Sequence, residues 1–223
     1  MDIQSPIDRL NSLLPLKARQ DQLTAECRKM HLCILRTLVN EGRVPAEEEL
    51  RVHAGGDSVE NHLRLLAVKD LIVMDSLGRS PVGAYPMTTE QTPYQITVNG
   101  RVIYAMCALD ALSVASMFKL DVAIDSCCQL SRTPINIFMR DERLIEVHPG
   151  TGVTVGILWQ RPSGVAAYSM CKQMVFLKDR CVAETWRARN RENSALFSLP
   201  QAVSLGKHFF LPLVSELPAA ECR

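Results

Sequence analysis

The hydrophobic pattern of this chain changes near residue 91, and this change constrains the fold more than any single motif does. Before it, apolar residues recur at helical spacing, as in Cys27, Met30, Ile34 and Leu38, and Gly42 follows as a stop signal. After it, short segments alternate between apolar and polar residues with a period near two, which is typical of strands. The chain therefore predicts helices first and a mixture of strands and helices afterwards.

Two further helices and a hairpin are predicted before residue 91. Pro45 opens a short helix whose first turn is acidic, which complements the helix dipole. Asp57 and Glu60 resemble a capping box at the start of a third helix. A strand, a turn and a returning arm are predicted at 71–74, 76–79 and 81–88. Three helices followed by a hairpin are typical of a winged helix.

The part after residue 91 predicts a core of antiparallel strands and helices. Tyr94–Val98 alternates, Asn99-Gly100 is a turn signal, and a helix is expected from about Arg101 to Phe118. Further strands are predicted around 122–125, 135–139, 154–159 and 173–177. A closing helix is predicted at 199–211, with Pro200 near its first turn. We therefore predict an α+β fold with a winged-helix-like N-terminal domain at 1–90 and a mixed catalytic core at 91–223.

The charge pattern argues against DNA as a partner of the winged-helix-like segment. Its third helix carries Asp57, Glu60 and Asp70 against Arg64 and Lys69, so it lacks the clustered positive charge that phosphate contacts require. Lys and Arg number 25 and Asp and Glu 24 in the whole chain, which gives no global attraction to nucleic acid or to an anionic membrane. We expect neither a nucleic-acid partner nor a membrane partner.

The segment Tyr104-Ala105-Met106-Cys107-Ala108-Leu109-Asp110 carries the chemistry most directly. Side chains three residues apart on a helix share a face, so Cys107 and Asp110 are expected to lie close together. A cysteine in an apolar helix is often only a small buried hydrophobe. Burying a carboxylate, however, costs several kcal/mol unless it is paired or protonated. Burial and nearby thiolates are expected to raise the pKa of Asp110 and to equip it for proton transfer.

These residues resemble a known family, the organomercurial (alkylmercury) lyases of bacterial mercury detoxification. The active-site helix of that family reads Cys-Ala-Leu-Asp, which recurs here from Cys107 to Asp110. Cys171, ahead of Val175-Phe176-Leu177, is similar to the second essential cysteine of the family. Cys128, six residues before Pro134, is similar to a third, although its neighbour Cys127 is an alternative for that position.

The resemblance implies a mechanism and a set of roles. Cys107 and Cys171 would bind mercury, and Asp110 would take part in the protonolysis of the carbon–mercury bond and lie at the metal. No organic cofactor is implied, because mercury enters as substrate and leaves as product. The implied partners are an organomercury substrate and small thiols or a mercuric reductase that accept ionic mercury. Cys128 is expected to support the fold.

Cysteine usage and the first residues predict a cytoplasmic protein. The chain holds eight cysteines, and the N-terminal residues lack the basic start and apolar middle of a secretory signal. Reduced thiols are therefore expected rather than disulfides. A structural zinc site is disfavoured, because no Cys-x-x-Cys pair occurs. The apolar runs are shorter than the ~20 residues that span a bilayer.

Two alternatives to a lyase acting on mercury remain open from the sequence. A thiol-based heavy-metal sensor or carrier on a winged helix would use the same thiols, and a sensor would also need to bind DNA. A lyase paralogue that cleaves another carbon–metal or carbon–metalloid bond would also fit, because thiolates suit other soft centres.

Overall fold

The structure, a computed structural model, describes residues 3–190 and 193–215. The helices in these two ranges are α1 Gln4–Leu13, α2 Leu16–Asp21, α3 Ala25–Glu41, α4 Glu47–Arg51, α5 Val59–Val68, α6 Ala108–Phe118, α7 Arg180–Arg189 and α8 Leu199–Phe210. The strands are β1 Ile72–Met74, β2 Pro81–Ala84, β3 Met87–Thr88, β4 Gln95–Val98, β5 Arg101–Ala105, β6 Asp121–Cys127, β7 Pro134–Arg140, β8 Arg143–His148, β9 Thr154–Leu158, β10 Met174–Leu177 and β11 Ser194–Ser198.

Two of the N-terminal helices, α3 and α5, begin at residues whose side chains cap them. Thr24 caps α3 by accepting a hydrogen bond from the backbone N–H of Cys27, and Gly42 ends the helix with a φ of 70°. Ser58 caps α5 by accepting from the backbone N–H of Asn61. The cap of α5 is thus one residue later than the predicted capping box at Asp57. The three predicted helices are present, and α1 and α2 precede them.

Eight strands form one sheet in the order β1-β2-β3-β5-β4-β6-β7-β8, with antiparallel pairing throughout. The predicted turn at Asn99-Gly100 joins β4 to β5, and both residues have positive φ. The arm predicted as continuous from 81 to 88 instead reverses at Tyr85-Pro86 and forms the β2–β3 pair. A second sheet has the order β10-β9-β11 and is also antiparallel.

The prediction of a helix from Arg101 to Phe118 is wrong in its first part. Arg101–Ala105 is strand β5, and the helix begins only at Ala108. The segment contains Val102, Ile103 and Tyr104, whose branched or aromatic side chains favour strands, and β5 pairs with β4 on one side and β3 on the other. Tertiary pairing therefore decides the conformation of a segment whose apolar spacing also suits a helix.

Helix α6 is buried along almost its whole length and packs against α8. Gly206 lies at this contact: a Cβ atom at this position would lie 3.1 Å from the Cβ of Ser113 and 3.3 Å from the carbonyl oxygen of Leu109. The absence of a side chain at Gly206 therefore lets the two helices approach closely. The predicted closing helix corresponds to α8, whose first turn contains Pro200 as expected.

Mixed helices and antiparallel sheets confirm the predicted α+β class. The proposed boundary near residue 90 falls between β3 and β4, which belong to the same sheet, and Met87 of β3 pairs with Ala105 of β5. The division into two domains stays a prediction. Within the described residues, none of the helices is both long and apolar enough to cross a membrane.

Candidate active site

Cys107 lies at the junction between β5 and α6. Its backbone is extended, with φ −156° and ψ 177°, and its Sγ accepts a hydrogen bond from the backbone N–H of Asp110 at 3.4 Å. Cys107 is therefore the N-cap of α6 rather than a residue in the middle turns of a longer helix, as the sequence had suggested. Asp110 lies in the first turn of α6. The predicted proximity of the two residues is produced by a helix cap.

Cys171 reaches the same place from a distant part of the chain. It begins a short 3-10 turn, Cys171–Gln173, directly before β10. One ligand atom each from Cys107, Asp110 and Cys171 lies within 4.8 Å of the others. All three residues are buried, with exposures of 0%, 2% and 2%. In the residues that the structure describes, this is the one group of three or more His, Cys, Asp or Glu side chains close enough to hold a metal ion.

The carboxylate of Asp110 has an unusual environment. Its Oδ2 atom is buried and has no hydrogen-bond partner in the described part of the chain. Burial raises the pKa of Asp110 to about 7, because a low-dielectric surrounding disfavours the charged form. The protonated thiols of Cys107 and Cys171 limit this increase, since an S–H group hydrogen-bonded to the carboxylate favours its charged form. The further increase expected from thiolates stays a prediction.

Both thiols are less acidic than an exposed cysteine. Burial raises the pKa of Cys107 well above its ordinary value, and the hydrogen bond with Cys171 and the charge of Asp110 add to this. In Cys171 the hydrogen bond with Cys107 favours the thiolate, but burial and the charges of Asp110 and Asp70 outweigh it and raise the pKa. A thiol in this cluster therefore needs an acceptor for its proton, and Asp110 is the neighbouring carboxylate.

Two residues beside the cluster were not singled out by the sequence. The Sδ of Met174 lies 3.7 Å from the Sγ of Cys107, and the buried hydroxyl of Tyr94 donates a hydrogen bond to the carbonyl of Met174 at 3.2 Å. The charges of Cys107, Cys127, Asp110 and Cys171 raise the pKa of Tyr94 further than burial alone does. Met174 follows Cys171 by three residues, and this spacing is the one sequence signal that could have identified it.

A cavity of about 350 Å³ opens beside this part of the molecule. Its lining includes Tyr94 and Met106, the latter directly before Cys107 in the chain. Tyr168 and Lys172 line it close to Cys171 in sequence, and 45% of Tyr168 is exposed. The cavity is therefore lined by the sequence neighbours of both cysteines of the cluster, Met106 beside Cys107 and Lys172 beside Cys171.

The remaining cysteines are not part of the cluster. Cys128 is fully buried after β6. Burial disfavours its thiolate, but hydrogen bonds from Ser131 and from the backbone of Lys178 and Leu130 outweigh burial and lower the pKa. Cys127 is partly buried and Cys181 is exposed. Cys222, which the sequence marks as a candidate exposed thiol next to the end of the sequence, lies outside the described residues.

Comparison with known proteins gives one consistent family. The family model of alkylmercury lyase, MerB, matches residues 87–211. The alkylmercury lyase of Staphylococcus epidermidis is 27% identical over 175 residues, which cover 78% of each chain. The alkylmercury lyase of Bacillus cereus is 28% identical over 152 residues, which cover 68% of each chain.

A solved structure has the same fold. The crystal structure of the mercury-bound form of MerB2 superposes with a TM-score of 0.73 at 24% identity and covers 87% of this chain and 98% of its own. The family match includes β3, α6 and β10, and thus the segments that carry Cys107, Asp110 and Cys171. Because the family model covers more than half of the sequence, the chain belongs to the alkylmercury lyase family.

Proposed function

We propose that this chain is an organomercurial lyase that cleaves the carbon–mercury bond by protonolysis, with Cys107, Cys171 and Asp110 at the reacting atoms. The observation that carries the proposal is the buried cluster in which two thiols and one carboxyl lie within 4.8 Å of one another. Thiolates are ligands that soft metals prefer, and a proton is needed at the leaving carbon. The cluster supplies both requirements without a resident cofactor.

In the proposed sequence, the Cys107 thiol first displaces the thiol that carries the substrate, so that R–Hg–SR′ becomes Cys107–S–Hg–R and R′SH is released. Asp110 accepts the proton of Cys171, and the resulting thiolate binds mercury as a second sulfur ligand. Asp110 then delivers that proton to carbon, the carbon–mercury bond breaks, and R–H leaves. Two external thiols finally take mercury as Hg(SR′)₂ and return their protons to the cysteines.

The raised pKa of Asp110 supports its role as the proton carrier. A carboxyl with a pKa of about 7 is present in both forms near neutral pH. It can therefore accept a proton from a thiol and release it again, which is the condition for efficient general acid–base catalysis. The unpartnered Oδ2 leaves one carboxylate oxygen available for this transfer.

The proposed substrate approach is through the 350 Å³ cavity beside Met106 and Tyr168. The cluster itself is almost completely shielded from solvent, so a substrate has to enter by this route or by a local opening. Shielding is useful in the reaction, because water is excluded while the carbon–mercury bond is polarised.

The test is product formation. The protein is incubated with methylmercury or phenylmercury salt and an excess of a small thiol, and methane or benzene is measured. In D₂O the released hydrocarbon is expected to carry one deuterium from the solvent-exchanged thiol or carboxyl. Stoichiometric binding of mercury with no hydrocarbon above the protein-free control would favour a metal carrier. Release of hydrocarbon only from another organometallic compound would favour a lyase paralogue that cleaves a different carbon–metal bond.

We further infer that α3, α4, α5 and the β1–β2 hairpin form a winged-helix-like unit with a structural role. Arg64 on α5 is paired with Glu60 at 2.7 Å, so this cation already has a carboxylate partner. Arg51 on α4 is paired with Glu47 at the same distance. Phosphate binding needs clustered cations that are available for contact, so these ion pairs support the inference that the unit does not bind nucleic acid. Salt-sensitive binding to one defined DNA duplex would contradict this inference.

A further inference from the structure

The segment that leads to Cys171 is held by a buried tyrosine, Tyr85, and a partly buried aspartate, Asp70, from the N-terminal part of the chain. The 3-10 turn Ala166–Tyr168 precedes Cys171 in the connection between β9 and β10. The backbone N–H of Ala167 donates a hydrogen bond to the hydroxyl oxygen of Tyr85 at 2.8 Å. The backbone N–H of Ala166 donates to Oδ2 of Asp70 at 3.3 Å. Two successive backbone groups are thus fixed from outside the segment.

Tyr85 and Asp70 are also joined to each other. The hydroxyl of Tyr85 donates a hydrogen bond to Oδ1 of Asp70 at 2.8 Å. Tyr85 is 1% exposed, and its ring is among the largest fully buried side chains of the described residues. The Tyr85 hydroxyl thus both donates and accepts a hydrogen bond. Removing it leaves the carboxylate of Asp70 and the backbone N–H of Ala167 without this partner.

Asp70 connects a third segment to the pair. It directly follows the C-cap of α5 and has a φ of 49°, a conformation that Asp tolerates better than most residues. The guanidinium of Arg19 lies 3.5 Å from Oδ2 of Asp70. Burial raises the pKa of Asp70, while its hydrogen bonds from Tyr85 and Ala166 oppose that increase. The carboxylate therefore joins α2, the β2–β3 turn and the Cys171 segment.

We propose that Tyr85 and Asp70 are positioning residues that hold the Ala166–Ala167 backbone, and with it the Cys171 thiol, within reach of Cys107 and Asp110. The connection between β9 and β10 has 15 residues and consists of turns and short 3-10 segments, so it lacks a sheet or a long helix of its own to fix Cys171. Cys107, in contrast, is fixed by β5 and α6. The reaction needs both thiols at one metal atom, and the less rigid partner requires external support.

The experiment compares Tyr85→Phe with Tyr104→Phe. Tyr85→Phe keeps the buried ring and removes the hydroxyl that links Asp70 to Ala167. Tyr104→Phe is the matched control, because it removes a hydroxyl from strand β5 of the same sheet, outside the Tyr85–Asp70 pair. Alkylation by iodoacetamide is followed by peptide mass spectrometry, and the rates at Cys171 and Cys107 are compared in the same molecules. Labelling of a buried thiol reports local opening.

In Tyr85→Phe we expect the ratio of the Cys171 rate to the Cys107 rate to rise about tenfold, the factor that corresponds to losing hydrogen bonds of ordinary strength. The ratio is expected to stay at the wild-type value in Tyr104→Phe. This result does not depend on turnover. An unchanged ratio in a folded Tyr85→Phe protein, or equal acceleration at both thiols, would overturn the proposal.

The kinetic part rests on the proposed lyase function. We expect kcat for phenylmercury to fall by at least about tenfold in Tyr85→Phe, while KM changes little, because a displaced group near the reacting atoms reduces rate rather than binding. A raised labelling ratio with wild-type kcat would show that the hold is not needed for the reaction and would refute the positioning role. Absence of turnover in the wild-type protein would refute the proposed function, and the labelling ratio would still decide whether the pair holds Cys171.

Asp70→Asn provides the second variant if Tyr85→Phe does not fold. Asn keeps an oxygen that can accept from Tyr85, but its amide group replaces the Oδ2 that accepts from Ala166. We expect a labelling ratio between those of wild type and Tyr85→Phe. A wild-type ratio in Asp70→Asn, combined with failure of Tyr85→Phe to fold, would assign the pair to general stability and reject the proposal.

Discussion

The Sγ atom of Cys107 accepts a hydrogen bond from the backbone N–H of Asp110 at 3.4 Å. One proposed mercury ligand is thus the cap of the helix whose first turn holds the proposed proton carrier. The positive end of the helix dipole favours a thiolate at this position, while burial disfavours it. Burial is the larger effect on the pKa of Cys107. The thiol therefore keeps its proton until a base removes it or a metal takes its place on the sulfur.

Asp110→Asn separates proton transfer from metal binding. Asn has nearly the same size but cannot accept and return a proton at this position. We expect hydrocarbon release to slow by at least ~100-fold, the scale usual for losing a positioned acid–base group. Binding of ionic mercury, measured by titration with excess thiol removed, should keep its stoichiometry. Wild-type rates of methane or benzene evolution from this variant would remove Asp110 from the mechanism.

The rate of the reaction should depend on pH through Asp110. Burial raises the pKa of its carboxyl to about 7, so the group is protonated below that pH and cannot accept the thiol proton. We expect kcat/KM to fall as pH decreases below 7, by up to about tenfold per pH unit. A profile from pH 5 to pH 9 checks this. A flat profile across pH 5.5 to 8 would contradict the assignment.

The same carboxyl should affect stability in the opposite sense. Its pKa is about 7 in the folded state and lies near its ordinary 3.8 in the unfolded state, so the folded protein binds the extra proton between these values. The stabilising effect is complete below pH 4 and is lost as pH rises through 7. Asp110→Asn should therefore be more stable than wild type at pH 8, by about 1 kcal/mol or more, with the difference shrinking toward pH 4. Urea unfolding at pH 8 and pH 4 measures the difference in unfolding free energy between the variant and wild type. An equal difference at the two pH values would contradict the prediction.

Cys107→Ser and Cys171→Ser are each expected to abolish carbon–mercury cleavage while the fold is retained. A hydroxyl oxygen is a hard and poorly ionised ligand for mercury. At position 107 the serine hydroxyl can still cap α6, since Ser is a preferred N-cap residue. Cys181→Ser, on the exposed side of α7, is the matched control and should keep wild-type turnover. Near-normal turnover in either active-site variant would exclude that cysteine from the reaction.

Cys128→Ser should reduce stability rather than the rate per folded molecule. Cys128 is fully buried, and its backbone N–H donates to the carbonyl of Thr133 at 2.8 Å. Placing a hydroxyl there is expected to cost roughly 1 to 3 kcal/mol, the usual range for a change in a packed core. Thermal unfolding together with turnover per folded enzyme tests this. A stable but inactive variant would bring Cys128 into the chemistry.

Much of the fold could be predicted because its signals are local. Gly42 ends α3, Asn99-Gly100 turns between β4 and β5, and the closing helix has Pro200 in its first turn, all as the sequence predicts. The error at Arg101–Ala105 has a tertiary cause: this segment is a strand because β3 and β4 offer backbone partners on both sides. Apolar spacing alone does not report which partners are available.

The proximity of Cys107 and Asp110 could be predicted from their spacing, although the reason differed, since a cap rather than a continuous helix brings them together. The contact with Cys171 was accessible only through resemblance to a family, because 64 residues separate Cys107 from Cys171 in the sequence. Met174, Tyr85 and Asp70 were not identified. Met174 is marked only by its three-residue spacing from Cys171. The importance of Tyr85 and Asp70 depends on contacts between distant segments, which leave no periodic or spacing signal in a single sequence.

The pairing of Met87 with Ala105 has a consequence for how this protein can be shortened. A fragment that begins at residue 91 retains Cys107, Asp110 and Cys171, yet it leaves the backbone of β5 without its β3 neighbour and loses Tyr85 and Asp70 altogether. The atoms proposed to react therefore come from the second half of the chain, and part of their support comes from the first. A shortened protein without the first ninety residues would therefore keep the side chains proposed to react, but it would lose contacts that hold those side chains in position.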